Sequence, residues 1–278
     1  MNIHFLYPSG NPTAIVCHKP NNPNQKYFIG GKIIEKYPSI EQVGFLYKEN
    51  NNFTLEMTGN ELCINASLSA FFLINKIYTK KVDIIYLKGP NRFIEGTFLD
   101  NGATRIWFNI HKNGISTWDS KIKQLYRVDF PWITHFYLTE FTDNFDNISR
   151  SLLDLFRYTL DVEAIWINQF NNSNGTMQLE TYVMVKETWT IIKETSCWSG
   201  CLWLTAIKLL EKNNEVNLDI LQASWISIKT YGKIEDNNNF LLEIINTVQY
   251  VGKISYFDTQ EKSEDLTMPH TYVRQVPL

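Results

Sequence analysis

Twice along this chain a polar turn ends in a cysteine and runs directly into an apolar helix. Met57-Thr58-Gly59-Asn60-Glu61-Leu62-Cys63 precedes Ala66 to Ile77, which is apolar on nearly every face and therefore reads as a helix buried all round. Glu194-Thr195-Ser196-Cys197-Trp198-Ser199-Gly200 precedes Cys201-Leu202-Trp203-Leu204-Thr205-Ala206-Ile207 in the same way. A helix buried on every side needs a sheet wrapped around it, so two of them call for two such units. The first turn of a helix offers a cysteine unpaired N–H groups and the positive end of the helix dipole. That environment favours thiolate over thiol and can also hold an anion beside it.

The elements around the two cysteines repeat in order. In the first half, short strands are expected at Ile3 to Tyr7 and Thr13 to His18, broken by Pro8-Ser9-Gly10-Asn11-Pro12. A surface helix follows from about Asn24 to Lys36, weakened by Gly30-Gly31, then strands at Gln42 to Lys48 and Phe53 to Thr58. Beyond the first buried helix come Val82 to Lys88, Phe93 to Leu99 and Thr104 to Ile110. Asn113 to Tyr126 lacks a clear period and reads as a connection.

The second half opens with a strand at Trp132 to Thr139 and a helix at Ile148 to Leu160 with Ile148, Leu152, Leu155, Phe156 and Leu160 on one stripe. Strands at Glu163 to Phe170, Met177 to Val185 and Trp189 to Lys193 lead to Cys197, and Ser224 to Tyr231, Phe240 to Val248 and Tyr250 to Phe257 follow its helix. The expected fold is α/β, in the α+β sense: two pseudo-symmetric domains, each a mixed sheet around a central helix. Their expected extents are 1–125 and 126–257, with a polar tail at 258–278 and the last strand free to return to the first domain.

Composition narrows the function classes. At 278 residues, 44% of them hydrophobic and 20% charged, the chain is that of a globular protein with room for about two cores. A formal charge of −3 provides no basic footprint for nucleic acid. No apolar run reaches the length of a membrane span, and the turn Pro8 to Pro12 follows Leu6 too closely for a secretory leader. Four irregularly spaced cysteines do not form a disulfide framework, which points to a reducing cytoplasm. Neither a Cys-x-x-Cys pair nor a His-Glu-x-x-His helix is present, so no metal is expected.

Two cysteines at equivalent places suggest a pair facing one cleft. Inverting an sp³ carbon that bears hydrogen requires a base on one face and an acid on the other, and two like groups serve in both directions. The helix N-termini would hold an α-carboxylate and the charge that builds on it, so no cofactor, pyridoxal phosphate included, is needed. The expected partner is a small amino acid or amino-acid-derived substrate, not nucleic acid or membrane. A homodimer is left open.

Over roughly 250 positions the chain resembles the diaminopimelate epimerase superfamily of cofactor-independent racemases and epimerases, and within it the histidine racemases of opine-metallophore pathways. Tyr7-Pro8-Ser9-Gly10-Asn11-Pro12-Thr13 resembles their opening Pro-Ser-Gly-Asn turn, whose asparagine contacts substrate. Glu41-Gln42-Val43-Gly44-Phe45, Thr58 to Ala66 and Ser196-Cys197-x-Ser199-Gly200 resemble the segments around the two catalytic cysteines. The resemblance makes Cys63 and Cys197 the acid/base pair and places Asn11, Ile64, Asn65, Glu187, Trp198 and Ser199 at the substrate; Glu187 falls where the family has a substrate-binding glutamate. His135 falls where the family often carries a histidine near the cleft, although a structural role is the simpler reading.

The departures bear on substrate. Family members have glycine directly after each cysteine, and this chain has Ile64 and Trp198; a Pro-Gly-Gly turn is replaced by Ala223-Ser224-Trp225. An isomerase or lyase acting on a larger or modified substrate, and a non-catalytic binding homologue, therefore stand beside the racemase reading. Cys17 and Cys201 read as ordinary strand and core residues.

Overall fold

The computed structural model describes residues 1–8, 10–79, 82–119, 124–130, 133–138, 140–162, 164–173, 176–185, 190–236 and 238–255. Glu187 and the tail 258–278 lie outside these residues. The first half runs β1 (Asn2–Pro8), β2 (Thr13–Cys17), α1 (Pro23–Lys36), β3 (Gln42–Glu49), β4 (Asn52–Met57), α2 (Ile64–Tyr78), β5 (Ile84–Leu87), β6 (Arg92–Phe98) and β7 (Ala103–His111). The second runs β8 (Ile115–Asp119), β9 (Gln124–Phe130), β10 (Ile133–Leu138), α3 (Phe145–Arg157), β11 (Ala164–Ser173), β12 (Thr176–Val185), β13 (Thr190–Lys193), α4 (Trp198–Lys212), β14 (Val216–Leu221), β15 (Ser227–Ile234) and β16 (Asn239–Ser255).

The pairings make the two halves topological copies. Helix α1 crosses between parallel β2 and β3, as α3 does between parallel β10 and β11. Helix α2 crosses between parallel β4 and β5, as α4 does between parallel β12 and β14. In each half an antiparallel pair, β3 with β4 or β11 with β12, links the two crossovers. The 17-residue strand β16 belongs to both halves: it pairs with β15 and β7 through its first part and with β1 through its last. With β16 between β7 and β1, the first sheet closes on itself, which removes the free edges of β1 and β7.

The helices bury what their sequences require. Ala66, Leu68, Ala70, Leu73 and Ile74 of α2 and Cys201, Leu204, Ala206, Ile207 and Leu209 of α4 have no exposed surface, and both helices belong to one apolar cluster. Helices α1 and α3 instead cover outer faces, each with a cluster of its own. Asn22 caps α1 by accepting from Gln25 N, and Pro23 fits the first turn, where no N–H is needed. Gly30 is used for close approach: a Cβ there would come within 2.6 Å of Thr58 Oγ1.

Several expectations need correction. The stretch 113–126, read as a connection, contains β8 and the start of β9, which pair with each other and, through β9, with β10. The strand β14 was not expected; Asn217 and Asp219 are poor strand formers, and pairing with β15 holds it. The two strands expected from Phe240 onward are the single β16, with a register shift opposite Phe5/Leu6. Helix α3 begins at Phe145 and buries Leu153, while Leu155 is 43% exposed. Among the described residues no helix is long and apolar enough to cross a membrane.

Candidate active site

Cys63 and Cys197 are the N-cap residues of the two equivalent helices, α2 and α4. Cys63 Sγ accepts from Ala66 N and Cys197 Sγ from Gly200 N, each at 3.3 Å, so each sulfur takes one of the donors that a helix start leaves open. Both are buried, at 5% and 3% exposure, and both lie in the central apolar cluster. Gly200 packs closely beside the second sulfur: a Cβ would stand 3.0 Å from Cys197 Sγ and 3.1 Å from Asn168 Oδ1.

A chain of polar contacts ties the two cysteine segments together. The Cys63 thiol donates to Gln42 Oε1 at 2.6 Å. Next to Gln42, Glu41 accepts from Asn11 Nδ2 and from Thr195 Oγ1, both at 2.8 Å. Thr195 Oγ1 also lies 3.1 Å from Gly10 O, so its proton is shared between two acceptors, and Thr195 is two residues before Cys197. Cys197 N donates to Gln222 Oε1 at 2.9 Å, and Ser224 N donates to Thr195 O at 2.8 Å. Segments around residues 11, 42, 63, 195 and 222 thus meet at one place, the junction between the halves.

The electrostatics of this junction differ from the expectation of lowered thiol pKa values. Burial pushes Cys63 well above the ordinary thiol value, the Glu61 charge adds to this, and the N–H of Ala66 offsets only part. Burial likewise raises Cys197, followed by the Glu194 carboxylate, against the opposing Ser199 and Gly200. Two or three oriented N–H groups cannot outweigh complete desolvation next to a carboxylate, so the resting thiols are protonated. Glu194 also acts on Cys63, so one carboxylate influences both sulfurs.

Glu41 and Glu194 are themselves unusual. Glu41 is exposed as a residue, but loss of water around its carboxyl raises it to about 7, partly opposed by Thr195. Glu194, also raised to about 7, is held there by loss of water and by the Glu41 charge, against the opposing effect of the Cys197 thiol. Two neighbouring carboxyls whose pKa values are both raised favour a cationic group between them.

The remaining expected residues divide. Asn11 is fully buried, and its Oδ1 has no partner among the described residues. Asn65 is buried in the first turn of α2, with Oδ1 likewise unpartnered there. Ile64 and Trp198, each 2% exposed, pack into the central cluster, and the Trp198 indole N–H has no partner among the described residues. Ser199 Oγ lies 3.6 Å from Cys197 Sγ. His135 is buried, stacked on Trp166 at 4.7 Å between ring centroids, and burial lowers it to about 3, so it stays neutral. Its Nδ1 faces Asn168 Nδ2 at 3.3 Å, which assigns the ring proton to Nε2.

Sequence reasoning missed the roles of Glu41, Gln42, Glu194 and Gln222. The first three lie inside the motif segments, where a carboxylate three residues before Cys197 was a usable signal. Gln222 carried none, since its bond to Cys197 spans 25 residues. Among the described residues no three His, Cys, Asp or Glu side chains are grouped as metal ligands.

The family model described as histidine racemase CntK N-terminal domain matches residues 2–256. The chain belongs to the histidine racemase family. No curated protein matches it at a significant level. Solved structures share its fold at low identity. A predicted epimerase from Pseudomonas aeruginosa is 9% identical with a TM-score of 0.63, covering 91% of this chain and 98% of its own. A hydroxyproline epimerase from Agrobacterium vitis, with trans-4-hydroxy-L-proline bound, is 8% identical with a TM-score of 0.62, covering 91% of each chain. A PhzC/PhzF-type phenazine biosynthesis protein from Clostridium difficile is 14% identical with a TM-score of 0.59, covering 92% and 98%. This member of the histidine racemase family is therefore an isomerase of the racemase/epimerase kind, with the diaminopimelate epimerase-like fold.

Proposed function

We propose that the protein interconverts the enantiomers of an amino acid, histidine in the first instance, by a two-base mechanism with Cys63 and Cys197, and that it does so in a reducing cytoplasm. The observation that supports this most is the equivalence of the two sulfurs: each caps a topologically matched central helix, and one carboxylate, Glu194, acts on both. In this reading the substrate α-ammonium sits by Glu41 and Glu194, and its α-carboxylate takes N–H donors at the helix starts. Burial and the neighbouring carboxylate charge together keep the thiols protonated; the ammonium offsets the charge part, so thiolate formation is favoured with substrate in place. That thiolate removes the α-proton, the carbanion-like charge is held by the helix N-termini, and the opposite thiol returns a proton to the other face. Ile64 and Trp198 fill space next to the sulfurs, so the reading includes a side-chain pocket that differs from that of relatives with glycine there. We place the boundary between the halves near residue 125.

The test is proton exchange in D₂O. L-histidine should gain deuterium at Cα and yield the D-enantiomer. Cys63→Ser and Cys197→Ser should each abolish inversion, while each single variant exchanges the α-proton of one enantiomer only, with opposite handedness. Inversion at the wild-type rate in the double variant would refute the mechanism.

A further inference from the structure

The turn that delivers Cys63 also walls a cavity of about 540 Å³, through Asn60. Neither cysteine lines it. Among the described residues its lining carries three lysines, Lys19, Lys26 and Lys88, against one carboxylate, Glu56. Glu56 is saturated: Oε1 lies 3.3 Å from Lys26 Nζ, and Oε2 lies 3.0 Å from Lys88 Nζ and accepts from Tyr47 OH at 2.9 Å. Among the described lining residues two ammonium groups thus share one negative charge, which leaves a unit of positive charge beside the cavity floor.

The two lysines are not alike. Lys26 is almost wholly buried, at 1% exposure, and its Nζ also bonds Asn60 Oδ1, so its role is to hold the floor together. The Lys88 side chain is 43% exposed. An ammonium group has three donors, and Glu56 is the acceptor Lys88 has among the described residues. Lys19, at the same cavity, is held 2.5 Å from Glu49, outside the lining. Tyr27, Pro20 and Pro23 supply apolar wall. Lysine and asparagine side chains make up most of the described lining, so a volume of this size suits a small, polar, charged molecule rather than an apolar one.

We infer that this cavity is a second ligand site, distinct from the cysteine pair, which takes a small molecule through a carboxylate or phosphate group bonded to Lys88. The wall it rests on is rigid. Asn60 is held in the left-handed region at φ 61°, and Gly89 packs so closely on it that a Cβ would come within 2.0 Å of Asn60 O. The anion therefore meets a preformed floor.

The experiment is isothermal titration of the full chain at low ionic strength with pyrophosphate and, separately, with citrate. The wild type should bind one of them saturably at a single site, and which one binds separates the phosphate from the carboxylate source. Lys88→Gln should weaken that binding at least tenfold, whereas Lys229→Gln, an exposed lysine on β15, should leave it within twofold. Absence of saturable binding of both probes, or equal weakening in the two variants, would overturn the inference. The titration does not depend on turnover, so its outcome is separate from that of the racemase reading.

Discussion

Replacing Glu194 by glutamine should change how stability depends on pH, and the size of the change follows from burial. The folded carboxyl is raised from 4.5 to about 7, whereas the unfolded chain returns it to water. A group with a raised folded pKa contributes its full stability below the unfolded value, about pH 4.5. It loses that contribution as pH rises towards the folded value, because the unfolded state ionises first. From 4.5 to about 7, the difference amounts to about 3 kcal/mol once the pH is above both. Glutamine keeps the shape and a hydrogen-bonding oxygen but cannot ionise, so the variant should lose about 3 kcal/mol less than the wild type between pH 4.5 and 8. Urea unfolding at several pH values, without amino acid present, measures this. Glu41 contributes a slope of its own in both proteins, so the quantity to compare is the divergence between the two profiles. Histidine added at pH 8 should recover part of the wild-type loss, since its ammonium offsets the buried charge. Parallel profiles would refute the placement of an ionisable carboxyl in this desolvated junction.

Two further substitutions probe the same region. Gly200→Ala puts a methyl 3.0 Å from Cys197 Sγ and 3.1 Å from Leu179 Cδ2, so it should cost about 1–3 kcal/mol by overpacking and reduce the racemisation rate at least tenfold; wild-type stability and rate together would contradict the tight fit. Trp225, 61% exposed at φ 63°, holds a bulky side chain in a conformation that suits glycine, so Trp225→Gly should stabilise by about 1 kcal/mol and raise Tm by roughly 2–4 °C. A lower Tm by calorimetry would show that the indole's contacts outweigh the strain.

How much was legible in advance depended on whether the deciding interactions were local. The buried helices could be read because a cysteine that caps a helix and an apolar run that continues it lie within a dozen residues of each other. The duplication was visible because the crossover helices repeat between strands of similar spacing. Where pairing partners are distant, the reading failed. β8 and β9 are held by each other and by β10, β14 by β15, and β16 continues through its register shift because it passes from β7 and β15 to β1.

The sequence by itself determined that two capped, buried helices carry a cysteine each, and that the chain repeats a crossover pattern around them. Only the tertiary structure decided the chemistry of the junction. Glu41 and Thr195, 154 residues apart, share a hydrogen bond, and Glu194 bears on both sulfurs. Desolvation and charge proximity are properties of that assembled interior. They reverse the local effect of the helix N-termini, so thiols that the sequence presents as thiolates rest as thiols, and carboxyls that it presents as ionised titrate near neutrality.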